Sequence, residues 1–192
     1  MAPISEEKEP PKAAYLPDIL APDLDVIFVG AAASHNSARA GHWYAGPTNK
    51  FWLLLSQSGF TPRKMRPEED GEVLHYGLGL TCIFPDLATS ANHLLPIPTA
   101  DRRRRLQEKL IHLQPRFLCF NGKDVHQMST GRLCTDWGEQ EELIGSSRVF
   151  VVHSSSARAD HWGAERLALY RELYTLVHPT VNLPKSTPPQ TA

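Results

Sequence analysis

Asp25-Val26-Ile27-Phe28-Val29-Gly30 is an uninterrupted apolar run opened by an acid and closed by a glycine. Four successive apolar residues without polar alternation describe a strand buried on both faces, as in parallel sheets covered by helices. Downstream, Asn49 to Gly59 reads as a helix with Phe51, Trp52, Leu54 and Leu55 on one side and Gly59 as its stop. Leu78 to Ile83 is a second strand. Thr99 to Leu113 is the clearest helix: Thr99 can cap it, and Leu106, Leu110 and Leu113 recur at i, i+4 and i+7. Arg116 to Phe120 and Arg148 to Val152 supply a third and a fourth strand. A last helix from about Trp162 to Val177 turns Leu167, Tyr170, Leu173, Tyr174 and Val177 inward. Short buried strands alternating with helices predict a single α/β domain, three α/β/α layers around a mostly parallel central sheet.

Composition agrees with one domain. The chain has 192 residues, 41% of them hydrophobic and 21% charged, and a net charge of -1 from 20 basic and 21 acidic residues. That balance excludes a polybasic arm but leaves room for a local basic groove. Cys82, Cys119 and Cys134 lie too far apart for a CxxC pair, and their odd number argues against a disulfide scaffold. No apolar run approaches the roughly 20 residues of a membrane span, and the acidic start is unlike a signal peptide. The expectation is a soluble intracellular protein with a folded body over 15–178. Tails at 1–14 and 179–192, rich in Pro, Lys, Ser and Thr, are expected to be disordered.

In parallel sheets, ligands bind beyond the C-terminal ends of the strands. After Val29 comes Gly30-Ala31-Ala32-Ala33-Ser34-His35-Asn36-Ser37, then Gly41-His42-Trp43-Tyr44-Ala45-Gly46-Pro47-Thr48-Asn49. The segment has neither the GxGxxG of a dinucleotide site nor the Gly-Lys-Ser/Thr of a P-loop. After Ile83 comes Phe84-Pro85-Asp86. After Val152 comes His153-Ser154-Ser155-Ser156-Ala157-Arg158-Ala159-Asp160-His161, small, polar and basic together. No HExxH or similar ligand spacing occurs among the nine histidines.

These strand-end segments carry a resemblance. Asp18-Ile19-Leu20-Ala21-Pro22, the Val26–Gly30 strand and Gly41 through Ala45-Gly46-Pro47-Thr48-Asn49-Lys50-Phe51-Trp52 resemble the mismatch-specific uracil-DNA glycosylases, the Mug and thymine-DNA glycosylase group. Gln57-Ser58-Gly59-Phe60-Thr61, Gly79-Leu80-Thr81, Asn121-Gly122-Lys123, Trp137-Gly138, the serine loop and Tyr170-Arg171-Glu172-Leu173 continue it in order over 18–177. The resemblance implies a uracil-DNA glycosylase-like fold and a monomer that flips a base out of damaged or mismatched DNA, duplex or single-stranded. It further implies cleavage of the N-glycosidic bond without metal or organic cofactor, and, in a bacterium, a place with the nucleoid. Tyr44 falls where the family stacks an aromatic on the flipped base. Ser154 and Ser156 belong to the substrate-contacting loop, where the family reads Asn-Pro-Ser. Ala157, Arg158 and Ala159 occupy the positions that wedge into the emptied stack.

Two positions depart from that pattern. The family's first motif reads Gly-Ile-Asn-Pro-Gly and its asparagine positions the attacking water, whereas here Ala32 stands in that place. The wedge, apolar in the bacterial relatives, is Arg158. With no polar group at Ala32, a carboxylate elsewhere is expected to stabilise the sugar cation and accept the proton of water. Asp86, directly after the second strand, is the expected catalytic residue; Asp160 is the next, and Asn36 or His35 a third source. An aspartate in such a place also serves as a turn former. Ala32 equally motivates a second function, a lesion- or mismatch-binding module impaired in catalysis. A nucleoside hydrolase lacks support, since no Asp-rich metal motif is present. Arg102-Arg103-Arg104-Arg105 spreads around its helix and reads as a solvated surface rather than a phosphate track. Lys123 fits either a phosphate contact or the start of a helix.

Overall fold

A computed structural model describes residues 16–179. The expected tails lie outside the described residues, apart from Pro179. Five strands, β1 (Val26–Ser34), β2 (Leu78–Thr89), β3 (Phe117–Phe120), β4 (Gly138–Ile144) and β5 (Ser147–Val151), form one sheet in the order β2-β1-β3-β5-β4. All neighbours run parallel except β4, which pairs antiparallel with β5 at the edge. Helices α1 (His35–Ala40), α2 (Phe51–Ser58), α3 (Ala100–Leu113), α4 (Lys123–Thr130) and α5 (Gly163–Val177) complete the α/β layers. Among the described residues no helix is long and apolar enough to cross a membrane.

The apolar strands sort their side chains by alternation. Val26 and Phe28 of β1, Phe117 and Cys119 of β3 and Phe150 of β5 point to one face. There Phe51, Trp52 and Leu55 of α2 and Tyr170, Leu173 and Val177 of α5 cover them. Ile27, Val29, Leu118, Phe120, Val149 and Val151 point to the other, under Leu106 and Leu110 of α3 and Val125 of α4. Burial of both faces is why these strands contain no polar interior positions. Thr99 caps α3 as expected, its side chain accepting from the Arg102 N–H. A main-chain bridge between Ile19 and Leu80 covers the outer edge of β2. Gly79 is required there, since a Cβ would come within 2.7 Å of the Leu24 side chain and 3.1 Å of the Ile19 carbonyl.

Several elements differ from the sequence expectation, among them α1 and the 3₁₀ stretch Pro67–Tyr76, neither of which was expected. β1 does not stop at Gly30 but continues through the alanines to Ser34, paired on β2. β2 runs on to Thr89, with a bulge: Ala32 pairs with Phe84 and Ala33 with Ala88, so Pro85, Asp86 and Leu87 are looped out between them. β4 (GEQEELI) is an unexpected strand. Its polar residues suit an exposed edge, where Arg148 holds Glu139 at 2.5 Å and His126 and Arg132 hold Glu142.

Candidate active site

The strand order reverses at β1: the chain moves from β1 outward to β2, then crosses back to β3 on the other side. Such a reversal opens a crevice beyond the strand ends. Here it holds a cavity of about 390 Å³, floored by Gly30 to Ser34 of β1 and walled by Tyr44, Asn121 and the serine loop.

The β1–α2 segment is folded by small polar groups. Ser34 accepts from the Ser37 N–H at 3.1 Å and starts α1, and Ser37 Oγ accepts from the Ala45 N–H at 3.0 Å. Trp43 donates to the Pro17 carbonyl at 2.9 Å, and its own N–H reaches Asp70 at 2.8 Å. Tyr44 follows with φ of +52°, a left-handed conformation that turns its ring into the crevice. One ring face stacks on Phe51 at 3.9 Å between centroids and 19° between planes. The ring borders the cavity, and burial pushes its phenol well above the ordinary range, so the hydroxyl stays neutral.

Asn121, the residue after β3, clamps the serine loop. Its Oδ1 accepts from the Ser155 N–H at 2.9 Å and its Nδ2 donates to Ser155 Oγ at 3.1 Å. Arg166 of α5, only 4% exposed, holds the same loop from behind by donating to the carbonyls of Ser154 and Ser156 at 3.1 and 3.2 Å. The loop then enters a 3₁₀ turn, Ala157–Trp162, capped by Ser156 Oγ. His153, beneath the loop, is buried between Trp137 and Trp162 at centroid distances of 3.8 and 4.4 Å, and desolvation lowers its pKa.

Ala32, Tyr44, Ser154, Ser156, Arg158 and Ala159 therefore border one cavity. Ala157 does not border it; it begins the 3₁₀ turn. Asp86 stands elsewhere. The bulge that extends β2 carries it toward α3, where Arg102 grips it in a two-pronged pair at 2.7 and 2.9 Å and depresses its pKa. It borders a separate cavity of about 570 Å³ with Cys82, Arg102 and Lys109. The expectation of a strand end at Ile83 is the source of that displacement. Asp160 is likewise engaged, by buried Arg166 at 2.9 Å, and His35 and Asn36 lie outside the cavity lining. Arg104 and Arg105 pair with Asp101, in keeping with a solvated helix surface.

Several residues that face the cavity carried no assigned role in the sequence: Asp124, Thr89, Asn92 and His93, together with Asn121, which was quoted only within a motif. Asn121-Gly122-Lys123 was legible as a motif, but the side chain that reaches the site is Asn121. Lys123 instead lies over the Trp137 ring and donates to the Thr135 carbonyl. Among the described residues no group of three or more His, Cys, Asp or Glu side chains converges as a metal set.

The uracil DNA glycosylase superfamily matches residues 17–177. The fold is similar to the NMR solution structure of a candidate uracil DNA glycosylase from Methanosarcina acetivorans, with a TM-score of 0.55 and 20% sequence identity. The similarity covers 84% of this chain and 98% of that one.

Proposed function

Because the chain belongs to the uracil DNA glycosylase superfamily, we propose that it is a monofunctional, mismatch-directed DNA repair glycosylase. It would take uracil, and thymine or related lesions, from opposite guanine into the Tyr44 cavity and hydrolyse the N-glycosidic bond, leaving an abasic site. The observation that carries this reading is the cavity at the sheet reversal, where an aromatic ring, an amide and an exposed arginine meet. Its volume of about 390 Å³ lies at the lower end of ordinary small-ligand sites.

The residues divide the work by chemistry. Tyr44 offers a ring already backed by Phe51, so a planar base adds to an existing stack at little ordering cost. Ser154 and Ser156 present small polar groups at the rim, in a loop that Asn121 and Arg166 hold in place before substrate arrives. Arg158 enters the gap left by the flipped base; its stem packs and its planar guanidinium stacks or meets a phosphate. The serine loop offers positive charge to DNA despite the chain's net charge of -1. Arg63, Arg102, Arg105, Lys109, Arg116 and Arg148 are all paired with carboxylates. Arg158 and Lys50, beside the serine loop, have no such partner among the described residues, and nor do Arg39, Lys64, Arg103, Lys123 and Arg171.

The test is to incubate the protein with duplexes carrying uracil, thymine or hypoxanthine opposite each base, then treat with alkali. Strand cleavage at uracil opposite guanine is expected. Ala32, bordering the cavity with a methyl group alone, favours the second reading, a lesion-binding module. Tight binding to mismatched duplex without release of any base would select that reading.

A further inference from the structure

The cavity lining contains one carboxylate, Asp124. It sits in the first turn of α4, which begins directly after the β3 strand end and faces the crevice beside β1. Its two oxygens are aimed by neutral groups: Asn92 Nδ2 donates to Oδ2 at 2.7 Å, and the Val125 N–H donates to Oδ1 at 2.9 Å. Each carboxylate oxygen has a second lone pair, so both can still receive a proton or hold a water. Asp86 and Asp160 are tied to arginines, whereas Asp124 has no cation within ion-pair distance among the described residues. Asp124 is exposed at the edge of the cavity, with no cationic partner among the described residues, and it shares that lining with Ala32, whose side chain has no hydrogen-bonding group.

We propose that Asp124 is a catalytic residue of this cavity, activating the water that Ala32 cannot position, with Asn92 as its positioning residue. The proposal rests on the glycosylase reading above. In the step, the water oxygen bonds to C1′ of the flipped nucleotide and one water proton passes to the Asp124 carboxylate. The C1′–N bond breaks and its electron pair leaves with the base nitrogen, which is later protonated from Asp124 or solvent. The products are free base and an abasic sugar carrying the water oxygen. A carboxylate near C1′ also faces the positive charge that grows on the sugar during departure.

Single-turnover release of uracil from duplex DNA tests this in four proteins: wild type, Asp124→Asn, Asp124→Ala, and Asp124→Ala combined with Ala32→Asn. Both single variants should lose about 10²–10⁴-fold in rate, the usual worth of general-base help. Their affinity for abasic-site duplex and their thermal melting should match the wild type. The added asparagine should recover part of the lost rate by supplying water positioning from the β1 side. Wild-type rates in both single variants would overturn the assignment while leaving the glycosylase reading intact. Loss of abasic-site binding or of folding together with rate would overturn it as well, by making Asp124 structural. No base release by the wild type would remove both readings.

Discussion

Two cavities among the described residues lie a few residues apart on the same strand pair and differ in what their charges do. In the cavity between β2 and α3, every ionic group is answered: Asp86 by Arg102, Asp101 by Arg105, and Lys109 by Asp18 at 2.6 Å. In the cavity between β1 and β3, Asp124 and Arg158 face space without a partner of opposite sign among the described residues. Paired surface charges are close to energetic balance and have little left to give a ligand. An unpaired charge, such as Asp124 held by Asn92 and the Val125 N–H, remains available to a ligand. The contrast turns on pairing: Asp86, at the expected strand end, is already engaged by Arg102, whereas Asp124 is not engaged by a cation among the described residues.

Substitutions on the two sides should separate accordingly. The largest effect short of the water-activating group is expected at Tyr44. Tyr44→Ala removes the stacking surface, worth about 1–3 kcal/mol per base, so single-turnover uracil release should slow about 10- to 100-fold. Tyr44→Phe should keep most of the rate, because the phenol is neutral and the ring persists. An equal loss in both variants would shift the weight from the ring to the hydroxyl.

Asn121→Ala should act on the serine loop and on stability together. It strands the buried Ser155 N–H, a loss of about 1–3 kcal/mol in urea unfolding. Unchanged stability would mean that the loop finds another partner and that the clamp is dispensable. Arg158→Ala should leave folding alone and weaken duplex binding more than single-strand binding, because only the duplex leaves a gap to fill. Measured against salt, a lost phosphate contact would lower the slope of log affinity by about 1. Equal losses on both substrates would assign Arg158 to phosphate contact alone.

The smallest effect belongs to the paired cavity. Asp86→Asn should leave base release at the wild-type rate and cost no more than about 1 kcal/mol, since the pair is largely exposed. The folded-state pKa of Asp86 is depressed by Arg102. Its contribution is therefore present above the carboxylate's unfolded pKa and lost as pH falls through the folded one. Stability profiles of wild type and Asp86→Asn should converge in acid and separate toward neutral pH. A loss of base release in Asp86→Asn would restore Asp86 as a catalytic candidate and break the contrast between the cavities.

Much of the fold was legible because it is written in continuous runs. Val26 to Val29 has no polar residue to accommodate, and Leu106, Leu110 and Leu113 repeat at helical spacing between a cap and a proline. β4 was not legible, because an edge strand needs only one covered face and four of its seven residues are Glu or Gln. Tyr44 and the serine loop could be singled out by position after strand ends, and both border the cavity. Asn121 also follows a strand end, but neither its clamp on the serine loop nor the place of Asp124 could be read from position. Asn121 matters because Ser155, 34 positions away, comes to lie against it, and Asp124 because Asn92 does, 32 positions away.

Local sequence thus specified the buried strands and the longer helices, the cap of α3, and which loops emerge beyond strand ends. Those properties depend on hydrophobic period and short-range hydrogen bonds, which neighbours in the chain supply. Which carboxylate faces the cavity was decided only when the sheet assembled. A three-residue bulge in β2 sent Asp86 to Arg102, and the β3–α4 junction brought Asp124 to the crevice. Whether a charge is neutralised or left free depends on partners far away in the chain, and only tertiary packing brings those partners within a few ångströms.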